Sequence, residues 1–343
     1  MEENKRYYVV GNYVGRDGLF AIYKHIVSHI IYAVENGWTP VVDLKNFPNQ
    51  YFKDNRRFKD NSWEYYFEQP MGIRLEDIEE ENNIIEAEKN IWAKKKYAIY
   101  PNQLPCAKID IKLPYTEQYH KFLKFNQEMK EYMEKVYNEL FMSETEVLGV
   151  ICRGSDYTNK RPKGHQIQPN PRVVLKEAKR LIASSKYKKI YLATEDANIY
   201  EMFKKEFRDK LIENVQYKYS YTSKKYISEV KVSRKNHFYN LGKEYLCSMY
   251  LLSRCKALIG GRTNGTLAVY FMTNGFENYE YVYLWNIGSY GTDDIMSVKV
   301  FLDSAFKNFI KNIFEISNGY IAGKKRKILT ILGIKIPLGK NKI

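Results

Sequence analysis

Long apolar runs are absent from the 343 residues: no uncharged stretch reaches the roughly eighteen residues that a bilayer-spanning helix needs. The first six residues are charged and lead straight into a strand-like run at 7–10, with no apolar leader core, so a cytoplasmic location is expected. Cysteine is scarce and scattered. Cys106, Cys152, Cys247 and Cys255 form no CxxC pair and no Cys/His cluster, which argues against a disulfide framework and against structural zinc. Disorder is excluded from the other direction, because 15% aromatic and 44% hydrophobic residues supply ample area for a core. What is abundant is positive charge. Lys and Arg number 55 against 40 Asp and Glu, a net charge of +15. Such a field favours anionic partners (a sugar nucleotide, an anionic lipid or a nucleic acid), although a compositional bias toward Lys, Asn, Ile and Tyr would produce the same excess.

The pattern along the chain is strand and helix in alternation. Residues 7–10 read as a strand and Gly11 to Gly18 as a glycine-containing loop. Helical spacing of Leu19, Ile22, Ile26, Ile30 and Val34 follows, and 39–44 reads as a second buried strand. This β-α-β unit predicts a parallel sheet. The region 46–115 is weakly periodic, with a helix expected at 80–95, and 117–140 reads as one amphipathic helix. From 147 onward the alternation is clearer. Strands are expected at 147–152, 189–194 and 257–260, with helices at 171–183, 198–207, 241–254 and 265–272 and a polar, basic loop at 217–236. The length suits two α/β domains, 1–142 and 143–295, then a helix at 296–320 and a basic amphipathic tail at 321–343.

Parallel sheets bind ligands beyond the carboxyl ends of their strands, and three loops of the second domain leave from that edge. The first is Arg153-Gly154-Ser155-Asp156, where Arg153 offers a planar fork for phosphate oxygens and Gly154 allows close approach. The second is Thr194-Glu195-Asp196, equally readable as a helix N-cap followed by acidic first-turn residues. The third, Gly261-Arg262-Thr263-Asn264-Gly265, opens a helix whose first N–H groups suit an anion. Each loop alone has a purely structural reading; the convergence of three in one domain is much harder to attribute to chance.

These residues resemble the fucosyltransferase superfamily that groups α1,2-, α1,6- and protein O-fucosyltransferases. The likeness rests on Ile151-Cys152-Arg153-Gly154-Ser155-Asp156, on Ala193-Thr194-Glu195-Asp196, and on Leu252-Ser253-Arg254-Cys255 followed by Thr263-Asn264. Arg153 to Pro169 is also similar to a bacterial polysaccharide-type subgroup, and Gly15 to Asp43 looks like the family's glycine loop, helix and strand. The resemblance implies an α/β, GT-B-like fold of two Rossmann-like domains with parallel sheets facing a cleft. It also implies GDP-fucose as donor, inversion, and neither metal nor other cofactor. The pattern departs at Ile151 and Gly154, where the family has His and Arg. It departs again at Ser248, whose usual acidic counterpart could be replaced by Glu244 in holding guanine.

No Asp-x-Asp triplet is present to recruit a metal, so Arg153, Arg262 and the N–H groups near Thr263–Gly265 must balance the departing diphosphate. A general base is also required. Asp156 and His165 are candidates, with Asp17, beside Gly15 and Arg16 on the acceptor side, a third. The expected acceptor is a glycan or lipid-linked oligosaccharide, and the 321–343 tail could dock peripherally at an anionic inner membrane face. Two other readings are a non-catalytic sugar-binding protein of transferase descent and a basic nucleic-acid-binding protein. No recognised nucleic-acid motif supports the latter.

Overall fold

The computed structural model describes residues 5–11, 17–47, 49–78, 83–87, 94–109, 111–154, 157, 160–220, 230, 232–291, 314–321, 324–331 and 334–337. The chain is an α/β protein with two parallel sheets. Both belong to one compact unit (Met1–Arg161 with Gln166–Asn286); Pro162–His165 and Ile287–Ile343 form a second.

The first sheet has the order β2-β1-β3, built from β1 (Tyr7–Gly11), β2 (Thr39–Asp43) and β3 (Ile84–Glu86). Tyr7 stands opposite Thr39 on one side and Ile84 on the other, all parallel. Helix α1 (Leu19–Glu35) makes the crossover, and Gly37, at φ +72°, turns the chain into β2. Strand β3 corrects the helix expected at 80–95 over residues 84–86; 80–82 and 88–93 lie outside the described residues. The acid-rich composition there favours a helix, but Ile84-Ile85-Glu86 pairs with the edge of β1 left open by β2, which gives that edge its ladder partners. The single helix expected at 117–140 is two, α2 (Thr116–Phe122) and α3 (Gln127–Phe141). Between them the chain bonds to 66–68 instead of to itself: Glu68 N–H donates to Lys124 O, and Asn126 N–H to Tyr66 O. Asn126 then caps α3, accepting from Met129 N–H.

The second sheet has the order β6-β5-β4-β7-β8, all parallel, from β4 (Val147–Ile151), β5 (Lys189–Ala193), β6 (Leu211–Ile212), β7 (Ala257–Gly261) and β8 (Tyr281–Trp285). Alternation along β4 serves two cores. Leu148 and Val150 pack with α4 (Pro171–Ala183) and α5 (Ala197–Phe207). Val147 and Ile151 face α6 (His237–Ser253) and α7 (Asn264–Met272). That second core continues into the first sheet through Phe20, Tyr23, Trp63 and Tyr119, so it crosses the expected 142/143 boundary. Tyr119 stacks on Phe271 at 4.4 Å and Tyr23 on Trp63 at 6.0 Å. Trp63, Tyr66 and Phe67 are buried in this packing.

In the second unit β9 (Phe314–Ile321), β10 (Lys324–Ile331) and β11 (Ile334–Pro337) form an antiparallel meander. Residues 314–320 are therefore strand, not the end of the helix expected at 296–320. The run from Phe314 to Ile321 pairs residue for residue with 324–331, and ladder bonds replace helical ones. The rest of that span lies outside the described residues.

Candidate functional site

The strand order places the site. The chain fills β4, β5 and β6 outward on one side, then returns to β7 and β8 on the other, so the order reverses between β4 and β7. A crevice opens at the carboxyl ends of two such strands. Arg153 and Gly154 leave β4 there, and Arg262 to Gly265 leave β7.

Arg153 is half-buried, and its guanidinium lies 4.3 Å from the centroid of the Tyr157 ring, a stacked cation. Its charge acts on the Tyr245 hydroxyl from α6, which also feels Glu195, Tyr51 and Tyr157. Burial holds that phenol well above its ordinary range. Tyr51 in turn feels both Glu195 and Asp17. The charges of Arg153, after β4, and Glu195, after β5, thus reach Tyr245, and those of Glu195 and Asp17, just before α1, reach Tyr51. Tyr51 is fixed in place, accepting from Leu19 N–H at 2.7 Å and from Gln50 Nε2 at 3.2 Å.

Asp17 is chemically distinctive. Its Oδ2 is buried with no hydrogen-bond partner among the described residues and lies 4.0 Å from His25 Nδ1. Burial raises its pKa, opposed by the positive charge of Lys24. Burial also pushes the His25 imidazole down to about 4, helped by Lys24 and His29, so it is neutral at physiological pH.

At the β7 side the turn is tight. A Cβ at Gly261 would stand 2.0 Å from Gln168 Oε1, so any larger residue there would displace that side chain. Thr263 and Thr266 form a reciprocal capping box at the start of α7, which leaves the first N–H groups, at Asn264 and Gly265, without intrahelical acceptors. Gln168 Oε1, Arg262 Nε and Asn264 Oδ1 are buried polar atoms with no hydrogen-bond partner among the described residues. Such orphans cluster where a ligand belongs.

Arg262 is not a free fork. Nη2 donates to Gln166 Oε1 at 2.7 Å and Nη1 to Leu104 O at 3.3 Å, with Cys106 Sγ at 3.8 Å. Its charge meets no carboxylate within ion-pair distance among the described residues, so it contributes field rather than a flexible grip.

The second loop divides. Asp196 is buried and caps α5, its Oδ1 accepting from Asn198 and Ile199 N–H, the structural alternative read from sequence. Thr194 is also buried, its carbonyl accepting from Asn214 Nδ2. Only Glu195 faces the neighbourhood of Tyr51 and Tyr245, steadied by Gln216 Nε2 at 3.5 Å. Glu244 binds Arg234 through Nη1 at 2.6 Å and Tyr217 N–H at 3.1 Å, so a base contact would require that pair to open. Ser248 sits in a buried chain from Tyr191 to Gln216.

Gly15, Arg16, Ser155 and Asp156 lie outside the described residues. His165 belongs to the second compact unit, where its N–H donates to Pro162 O and its carbonyl accepts from Tyr290 N–H. Tyr51, Tyr245 and Gln216 were not expected, and nothing in their spacing marks them; Gln168 falls in the Arg153–Pro169 run of the resemblance but was given no role. Lys24 and His25 did carry a signal, as polar residues inside the apolar run of α1. Among the described residues no group of three His, Cys, Asp or Glu side chains could hold a metal ion.

No family model matches the sequence, and no curated protein does. Among solved structures, the fucosyltransferase NodZ from Bradyrhizobium overlaps 82% of this chain and 99% of its own, at 15% identity and a TM-score of 0.48. NodZ alpha-1,6-fucosyltransferase co-crystallized with GDP overlaps 77% and 91%, at 16% identity and 0.47. POFUT1 in complex with GDP overlaps 81% and 98%, at 9% identity and 0.47. Overlap at this level is similarity in outline; the chemistry of this chain is carried by its own residues.

Proposed function

We propose that this chain is an inverting, metal-independent glycosyltransferase that uses a nucleotide-diphosphate sugar. GDP-fucose is the donor favoured by the motif resemblance. The observation that supports this most is the strand order, whose reversal between β4 and β7 brings Arg153 and the start of α7 to one edge of the sheet, with Glu195 leaving β5 beside them.

In this reading Arg153 grips the diphosphate, while the α7 N–H groups and the anchored charge of Arg262 stabilise the negative charge that develops as it leaves. The acceptor oxygen bonds to the anomeric carbon as the carbon–phosphate oxygen bond breaks, with the bonding pair departing on the nucleotide. Asp17, of the three candidate bases, is the one whose described surroundings suit it. It has a raised pKa and an unpartnered oxygen to receive the acceptor's proton. The acceptor is a glycan or lipid-linked oligosaccharide of cell-surface polysaccharide synthesis, reached from the cytoplasmic face with help from the basic C-terminal segment.

The test is nucleotide release from GDP-fucose, GDP-mannose and UDP-sugars, with and without EDTA. Release from GDP-fucose that EDTA does not reduce is expected. Strict dependence on Mn²⁺, or no release from any donor, contradicts the reading.

A further inference from the structure

The orphaned atoms of the turn from β7 to α7 are of opposite kinds. Gln168 and Arg262 are each 7% exposed, so bulk water does not serve them. The Gln168 amide has its direction fixed at one end. Its Nε2 donates to Gln166 O at 2.9 Å and to Arg262 O at 3.4 Å, and only the nitrogen of an amide can face two carbonyls. Oε1 is thereby turned the other way, against Gly261, the last residue of β7. There it has no donor among the described residues. Arg262 is anchored through both Nη atoms, by Gln166 Oε1 and Leu104 O, which leaves Nε as a fixed N–H without an acceptor among those residues.

Arg262 Nε and the first N–H groups of α7 are donors, suited to phosphate oxygens. Gln168 Oε1 and Asn264 Oδ1 are acceptors, and an ionised phosphate has no proton to offer them. A hydroxyl has one. A ligand matched to the whole turn therefore carries hydroxyl groups beside its negative charge, as a sugar nucleotide does and inorganic pyrophosphate does not.

We propose that Gln168 is a donor-binding residue, its Oε1 accepting a hydrogen bond from a hydroxyl of the sugar nucleotide, on the transferred sugar or on the ribose. This rests on the sugar-nucleotide reading above. Gly261 serves the contact by leaving the amide its place, since a Cβ would stand 2.0 Å from Oε1.

The experiment is isothermal titration of GDP-fucose, GDP and inorganic pyrophosphate into the wild type, Gln168→Ala, Gly261→Ala and the double variant. Gln168→Ala should weaken GDP-fucose roughly three- to tenfold while pyrophosphate stays within about twofold. Unchanged GDP affinity beside that loss assigns the hydroxyl to the transferred sugar; an equal loss on GDP assigns it to the ribose. Gly261→Ala displaces the amide without removing it. It should give the same pattern across the three ligands, and little further loss when added to Gln168→Ala. A loss shared by pyrophosphate, unchanged affinity for all three ligands, or additive losses in the double variant overturns the role of Gln168 alone. A wild type that binds neither GDP nor GDP-fucose removes the sugar-nucleotide reading and this contact with it.

Discussion

The Tyr66 hydroxyl donates to the carbonyl of Tyr239 at 2.9 Å, joining the aromatic segment after the first sheet to helix α6 of the second. Gly242, one turn along α6, makes the approach possible, since a Cβ there would stand 2.6 Å from Tyr66 Oη. Gly242→Val is therefore expected to cost about 1–3 kcal/mol through overpacking. Because the two sheets share one core, loss should appear as a lower Tm of a single transition for residues 1–286. Two separated transitions in calorimetry would show that the sheets fold apart.

Asp196 and Glu195 are neighbours with different duties. Asp196→Ala removes the α5 cap and should cost about 1 kcal/mol of stability while leaving nucleotide affinity within twofold. Glu195→Gln should leave Tm unchanged and reduce turnover at least tenfold. Thermal melts beside GDP titrations distinguish them, and the reverse pattern would move the site away from Glu195.

His25 links stability to pH. Its folded-state pKa, about 4, lies below the ordinary 6.5, so between those values the unfolded chain binds the extra proton and stability falls as pH drops. The full loss is on the order of 3 kcal/mol. His25→Gln should flatten the fall of Tm between pH 6.5 and 4, leaving a residual slope from His237, which burial and Arg234 also depress. An unchanged slope would place the titration elsewhere.

The basic meander should bring the protein to anionic membranes. Lys324, Lys325, Arg326, Lys327 and Lys335 lie in β10 and β11, each contributing about 1 kcal/mol near such a surface. Sedimentation with phosphatidylserine vesicles is expected at low salt, lost on raising ionic strength or deleting 321–343. Recovery in the supernatant under all conditions rejects the membrane role.

Much of the second sheet was legible, because β4, β5 and β7 are short apolar runs separated by amphipathic helices with Asn170 and Pro171 or Thr263 at their starts. β3 was not, because three residues in an acid-rich stretch become a strand only when β1 offers an edge. The break at 123–126 was hidden for a similar reason: its backbone partners are 66–68, far away in sequence. The site was half legible. Glycine and arginine at strand ends mark Arg153 and Arg262, but only the order β6-β5-β4-β7-β8 places them at neighbouring strand ends. That Arg262 is tied to Gln166, Asp196 to a cap and Glu244 to Arg234 depends on contacts no spacing rule encodes. Lys24 was visible as a charge in an apolar helix, yet the Tyr100 ring it lies over is apparent only in the folded chain.

The central claim is the grip of Arg153 on a diphosphate, and isothermal titration of GDP tests it directly. The wild type should bind GDP without added metal. Arg153→Ala should lose at least a hundredfold in affinity with Tm unchanged, and Arg153→Lys should recover only part of it, because an ammonium lacks the two-pronged fork. Equal GDP affinity in the wild type and Arg153→Ala would contradict the account.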